Sequence, residues 1–195
     1  MRYAAGHKDR IRDQIVARTA RVIREGGPGE VAISGVMGSL GLTHGGFYAH
    51  FRSRDALITA AVTRMFEEAA GMLDPDRLAA DPAAALGGYI RVYLSRTHRD
   101  AVDQGCPLPV LMTETGRLPP DAREVFVEGC ARLTERIAQG LARMDRAKGD
   151  APALAASLLS EMVGALALAR AMRGSLESDA LLRQSRAQVL ARAGL

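Results

Sequence analysis

An all-α fold is predicted for this 195-residue chain, and three observations predict it. Apolar residues recur at three- and four-residue spacing along nearly the whole length. No stretch keeps the two-residue alternation of a half-buried strand. Breaks rich in Gly and Pro cut the pattern into about nine helix-sized pieces. In the first piece Ile11, Ile15, Thr19, Val22 and Ile23 share a face, and Gly26-Gly27-Pro28-Gly29 ends it. A short helix over about Ser34 to Leu40 meets Gly41, and another covers Thr43 to His50. Ser53 is placed to cap a long helix through Met72, with Asp55 near its positive end. Asp74-Pro75 and Asp81-Pro82 mark the next break. Helices follow near 83–99, 108–115, 120–144, 152–173 and 179–193.

A chain of this length lies at the upper edge of one domain or the lower edge of two, and buries a core without staples. Cys106 and Cys130 make no disulfide framework. The charged start (His7, Lys8, Asp9, Arg10) is unlike a signal peptide, so a soluble cytoplasmic protein is expected. Charge is unevenly spread. Residues 1–54 hold nine Lys/Arg against four acids, while the remainder holds 17 basic and 18 acidic residues. The whole positive excess therefore sits at the N-terminal end, which fits either a polyanion partner or a solvated helix face.

Between Pro152 and Met172 the only charges are Glu161 and Arg170. A membrane span is disfavoured, because Glu161 near the midpoint costs about 2.5–3.5 kcal/mol in a bilayer. A helix apolar all round is otherwise buried all round. One face can cover the chain's own core while the other takes a second subunit, so a homodimer is expected. Leu158, Met162, Leu166 and Met172, with Leu182 and Val189 of the last helix, are the expected interface.

The stretch Ile33–Arg54 reads ISGVMGSLGLTHGGFYAHFRSR, physically a helix, a tight turn and a helix. Val36, Met37 and Leu40 offer an apolar face, and Gly41 can take the positive φ of a turn. Leu42 packs beneath it. Thr43 caps the second helix, so that its first N–H groups point outward. Phe47, Tyr48 and Phe51 are three of only eight aromatic residues. Phe47 and Phe51 share a face that anchors the helix, leaving the Tyr48 hydroxyl free to reach a phosphate.

This segment resembles the N-terminal domain of the TetR family of bacterial regulators. The likeness rests on Gly41-Leu42-Thr43, on Tyr48-Ala49-His50-Phe51, and on Arg52-Ser53-Arg54-Asp55-Ala56-Leu57, and is close over residues 8–57. It implies a three-helix DNA-binding domain over residues 1–52 and a larger helical ligand-binding and dimerisation domain over 53–195. The implied function is a sequence-specific regulator, most simply a repressor, that binds a double-stranded palindromic operator as a dimer. A small-molecule effector, or an electrophile or oxidant, would release it.

By position, the resemblance implies that Thr43, His44, Gly45 and Gly46 face the major groove while Tyr48, His50 and Arg54 hold phosphates. A structural surface histidine is the alternative for His44, and DNA contact is the favoured reading. Two glycines soften this short helix. Relatives begin the preceding helix with Thr or Ser where this chain has Ala32, so a cap and a phosphate contact are missing unless Ser34 substitutes through a shifted start.

In the body, Gly105-Cys106-Pro107 resembles a pattern of one subgroup. Cys106 near a helix start is either a sensor thiol of lowered pKa or a small buried residue at a bend. Tyr89, Tyr93, Cys106, Met112, Phe126 and Met162 either line a ligand cavity or pack the core. No cofactor, metal site or catalytic residue is expected, since the four histidines and two cysteines lack ligand spacing. The competing classes are an all-α interaction module and an enzyme built on Cys106 and His98, neither of which binds DNA.

Overall fold

The computed structural model describes residues 2–144 and 150–195, and every regular element among them is helical. The α-helices are α1 (Arg2–Gly26), α2 (Ile33–Ser39), α3 (Arg54–Gly71), α4 (Pro75–Ala80), α5 (Pro82–Tyr93), α6 (Arg96–Asp100), α7 (Leu108–Glu114), α8 (Pro120–Arg143), α9 (Ala151–Ala171) and α10 (Leu176–Arg192). Between α2 and α3 lies a tighter 3-10 turn, His44–Ala49.

The N-terminal part packs α1, α2 and this turn around Ile15, Ile23, Val36, Met37 and Phe47, all buried. Inside α1, the Thr19 hydroxyl donates to the Ile15 carbonyl at 2.8 Å, which removes its polarity from the core. Gly27, at φ 87°, ends the helix. The long α3 then runs into the body. Its first turn is closed by Ser53, whose hydroxyl accepts from the Ala56 amide at 3.1 Å. In the body α3 lies against α8, α8 against α9, and α9 against α10.

The last helix starts at Leu176, behind the Ser175 cap, rather than near 179, and two breaks differ more from the sequence expectation, each for a local reason. The break between Asp74 and Pro82 holds a helix of its own, α4. Asp74 accepts from the amides of Asp76 and Arg77, and Asp81 restarts the chain by accepting from Ala84. The helix expected over 83–99 is cut in two, because Leu94 leaves helical geometry (φ −94°, ψ 51°) and Ser95 caps α6 through the His98 amide.

The expected subunit interface needs correction. Leu158, Met162, Leu166, Leu182 and Val189 are core residues of the single chain, each at most 2% exposed, and only Met172 is at the surface. An apolar pattern without a polar face cannot tell which side of a helix faces inward. α9 lies among α7, α8 and α10, so its large side chains fill the interior. Small residues are left outside: Ala153, Ala156, Ser157 and Ser160, followed by Leu168. α9 is the one helix among the described residues long and apolar enough to cross a membrane.

Candidate nucleic-acid interface

The turn between α2 and the 3-10 segment is built from backbone bonds. Gly41 takes φ 69°, its amide donates to Gly38, and the Leu42 amide donates to Met37 at 2.9 Å. This paired arrangement stops α2 and redirects the chain sharply. Ala32 stands at the α2 N-cap and makes no side-chain cap bond, so Ser34 does not shift the start. Thr43 restarts the chain, its hydroxyl accepting from the Gly46 amide at 3.3 Å. The segment it opens is a 3-10 helix, not an α-helix. Gly45 and Gly46 supply little helix propensity, and six residues are too few to offset that.

The segment is pinned from below by Phe47 and Phe51, stacked at 5.8 Å and both buried. Thr43, His44, Gly45 and Tyr48 face outward, with Tyr48 63% exposed and its ring edge-on to His44 at 6.1 Å. Ser34 on α2 is exposed as well. Two arginines that sequence patterning does not single out hold this surface in place. The Arg12 guanidinium lies 4.1 Å over the Phe51 ring and donates to the His50 carbonyl at 2.6 Å. Arg18 donates to the Ser39 hydroxyl at 3.2 Å. Both sit on α1, so α1 braces the end of α2 and the end of the 3-10 segment. Lys8, Arg10 and Arg52 are exposed nearby in sequence.

His50 and Arg54 differ from the picture of free phosphate ligands. His50 is half-buried, and burial followed by the charges of Lys8 and Arg12 pushes its pKa down, which favours a neutral ring. Its Nδ1 is buried without a hydrogen-bond partner. Arg54 turns inward, Nε donating to Val31 O at 2.7 Å and Nη2 to Pro28 O at 2.6 Å. It ties the start of α3 to the loop before α2.

The six candidate ligand residues do not form one lining. Tyr89, Tyr93 and Cys106 come together in the interior, with the two phenol rings 5.7 Å apart. Met112 is exposed on α7, while Phe126 is half-buried against Phe66. Met162 is buried on α9. The Cys106 thiol is 2% exposed, and burial raises its pKa despite contacts from Tyr93 and the Leu108 amide. The lowered pKa considered for a thiol at a helix start is therefore not what this environment produces. Burial also raises both tyrosine pKa values, and the Tyr93 hydroxyl has no hydrogen-bond partner.

A capped, exposed helix-turn-helix on a basic N-terminal unit, joined to a larger helical body, defines a DNA-binding regulator. Residues 15–61 match the family described as bacterial regulatory proteins, tetR family, and residues 82–186 match the LmrA/YxaF-like transcriptional regulator C-terminal domain. The chain belongs to the TetR family. Solved structures agree in fold. A TetR-family regulator from Agrobacterium tumefaciens superposes with a TM-score of 0.78 at 22% identity, covering 93% of this chain and 98% of that one. One from Chloroflexus aurantiacus gives 0.75 at 25%, covering 98% and 96%. Escherichia coli NemR in its reduced form gives 0.75 at 21%, covering 91% and 94%. No curated protein matches the chain in sequence.

Proposed function

We propose that the chain is a repressor that binds a palindromic operator as a homodimer and leaves it when a small molecule enters the body. The carrying observation is the outward row Thr43, His44, Gly45 and Tyr48, set on a turn whose opposite side is locked by Phe47 and Phe51. In this reading residues 1–52 are the reading head and 53–195 the sensing and pairing domain. Thr43 and His44 read base edges, Gly45 and Gly46 allow close backbone approach, and Ser34 and Tyr48 hold phosphates. His50 supports the segment, and Arg54 acts on head stability.

The pairing surface we assign to the outward face of α9, where Ala153, Ala156, Ser157, Ser160 and Leu168 are exposed, with the Arg192–Glu161 ion pair at its edge, where Arg192 also bonds Ser157. A second helix can approach small residues closely, and the exposed Leu168 and Met172 would be covered. Tyr89, Tyr93 and Cys106 are the body residues most suited to register an effector. Because the thiol is shielded, a non-covalent small molecule is favoured over direct attack by an electrophile or oxidant.

The test is to select duplexes from a random-sequence pool with the full-length protein, then footprint the winners across graded salt. The expected footprint is palindromic, with half-sites about 34–36 Å apart and affinity falling linearly on a log–log salt plot. A protein that stays monomeric and binds every duplex alike would overturn the reading.

A further inference from the structure

One buried side chain fastens the C-terminal turn of α1 to the body. Arg24 is 4% exposed. Its Nε donates to the Gly105 carbonyl at 2.8 Å and its Nη2 to Glu68 Oε2 at 2.7 Å, with Nη1 3.5 Å from the Asp103 carbonyl. On its outer side the network continues through α3. Arg64 donates to Glu68 Oε1 at 2.7 Å and to Asp13 Oδ1 at 2.6 Å, returning to α1 about three turns before Arg24.

On its inner side, the same Gly105 belongs to a turn with no slack. The next amide, Cys106 N–H, donates to His98 Nε2 at 3.0 Å, and His98 Nδ1 bonds the Tyr93 carbonyl at 2.8 Å. Arg170 of α9 donates to the carbonyls of His98 and Arg99. A Cβ on Gly105 would overlap Arg170 Nη2 and lie 2.9 Å from His98 Nε2. A continuous bonded path therefore runs from Tyr93 and Cys106, through the Gly105 carbonyl and Arg24, to α1. From α1, Arg12 reaches His50 at the end of the 3-10 segment and Arg18 reaches Ser39 at the end of α2.

We propose that Arg24 is a positioning residue that transmits the position of the 103–106 turn, held from inside by the buried Tyr93–His98–Cys106 cluster, to the reading head. The proposal rests on the operator-binding function proposed for the chain. Its physical basis is that a buried guanidinium cannot leave a partner carbonyl without a large desolvation penalty. If the 103–106 turn shifts, Arg24 follows the Gly105 carbonyl and carries the end of α1 with it. A small rotation of α1 then spoils the spacing between paired heads.

The experiment is a double-mutant cycle in the full-length protein, read as affinity for a duplex selected from a random pool. Gly105→Ala perturbs the turn without any effector. With Arg24 present it is expected to weaken binding about tenfold, within the range usual for coupled sites. In an Arg24→Lys background the same change is expected to weaken binding less than about twofold, because a flexible ammonium lacks the rigid guanidinium fork that links Gly105 to Glu68. Arg24→Met is the second background, and melting curves exclude unfolded variants. As a second readout, hydrogen exchange of the 20–26 amides is expected to rise in Gly105→Ala only when Arg24 is intact. Equal losses in both backgrounds, or no loss with Arg24 intact, overturn the proposal. A parent protein that selects no duplex instead overturns the operator-binding reading and leaves hydrogen exchange to decide the coupling.

Discussion

The amide of Cys106 donates to Nε2 of His98 at 3.0 Å, while Nδ1 of the same ring lies 2.8 Å from the Tyr93 carbonyl. Only one protonation state serves both partners: neutral imidazole with its hydrogen on Nδ1. A second proton would sit on Nε2 and face a donor. Burial, and then the nearby Arg170 charge, oppose it further and lower the pKa, outweighing the Tyr93 carbonyl.

Acid should therefore loosen this protein through His98. A histidine with a lowered folded-state pKa takes its proton in the unfolded chain first. Stability is then intact above the ordinary value of about 6.5 and declines as pH falls below it. Melting temperatures measured between pH 7.5 and pH 5 are expected to fall for the parent. His98→Gln is expected to be less stable at pH 7 and to lose less on acidification. His50 shifts in the same direction, so the difference between parent and variant isolates the share of His98. Parallel pH profiles would remove His98 from the explanation.

Arg54 presents a choice between stability and binding. Its guanidinium serves Val31 and Pro28, and approaches Gly29 at 3.3 Å. A lysine ammonium at this position cannot reproduce that fork. Arg54→Lys is expected to lower stability by about 1–3 kcal/mol in urea denaturation. The slope of log affinity against log salt should stay unchanged. In Arg54→Met, which also removes the charge, an unchanged midpoint with a slope shallower by about one would return Arg54 to the phosphate contacts.

Features set by neighbouring residues are the ones legible in the sequence. The ends of α1, α2 and α3 can be read because Gly27, Gly41, Thr43 and Ser53 act on their own immediate neighbours. The 3-10 character of His44–Ala49 is only half legible: two glycines announce a weak helix without saying which geometry replaces it. The inward side of α9 is not legible, since a helix with two charges gives no polar face to orient it. Arg24 is invisible to patterning because its partner is a backbone carbonyl 81 residues away. The same holds for Arg12, which bonds the His50 carbonyl 38 residues on.

Close packing of α3 on α8 depends on Gly129. A Cβ there would overlap Cγ and Cδ1 of Phe66 and lie 2.6 Å from Cε1. Phe66 cannot easily yield, being buried with Phe126 edge-on at 5.9 Å. Gly129→Ala is expected to destabilise by about 1–3 kcal/mol, as overpacked cores do. Gly88 on α5 has nothing within 4 Å of its Cβ position. Gly88→Ala is expected to stabilise by roughly 0.4–1 kcal/mol, through the unfolded state. Urea midpoints moving in the same direction for both variants would contradict this account of the α3–α8 contact.

Gly45 separates the needs of folding from those of binding. It is exposed, has nothing within 4 Å of its Cβ position, and does not use a positive φ. For the isolated protein, alanine should be an improvement: it restricts the unfolded chain and favours the 3-10 turn, worth roughly 0.4–1 kcal/mol. Gly46 is less free, since a Cβ there would lie 3.4 Å from the Thr43 hydroxyl. If Gly45 allows backbone to approach the floor of the major groove, the added methyl occupies that space. Gly45→Ala is then expected to raise the melting temperature while lowering operator affinity about tenfold, or about 1.4 kcal/mol. Fluorescence anisotropy and thermal melts on one preparation measure both. A variant that becomes more stable and binds equally well would mean that Gly45 does not face the groove, and the proposed reading surface would have to shift toward Ser34 and Tyr48.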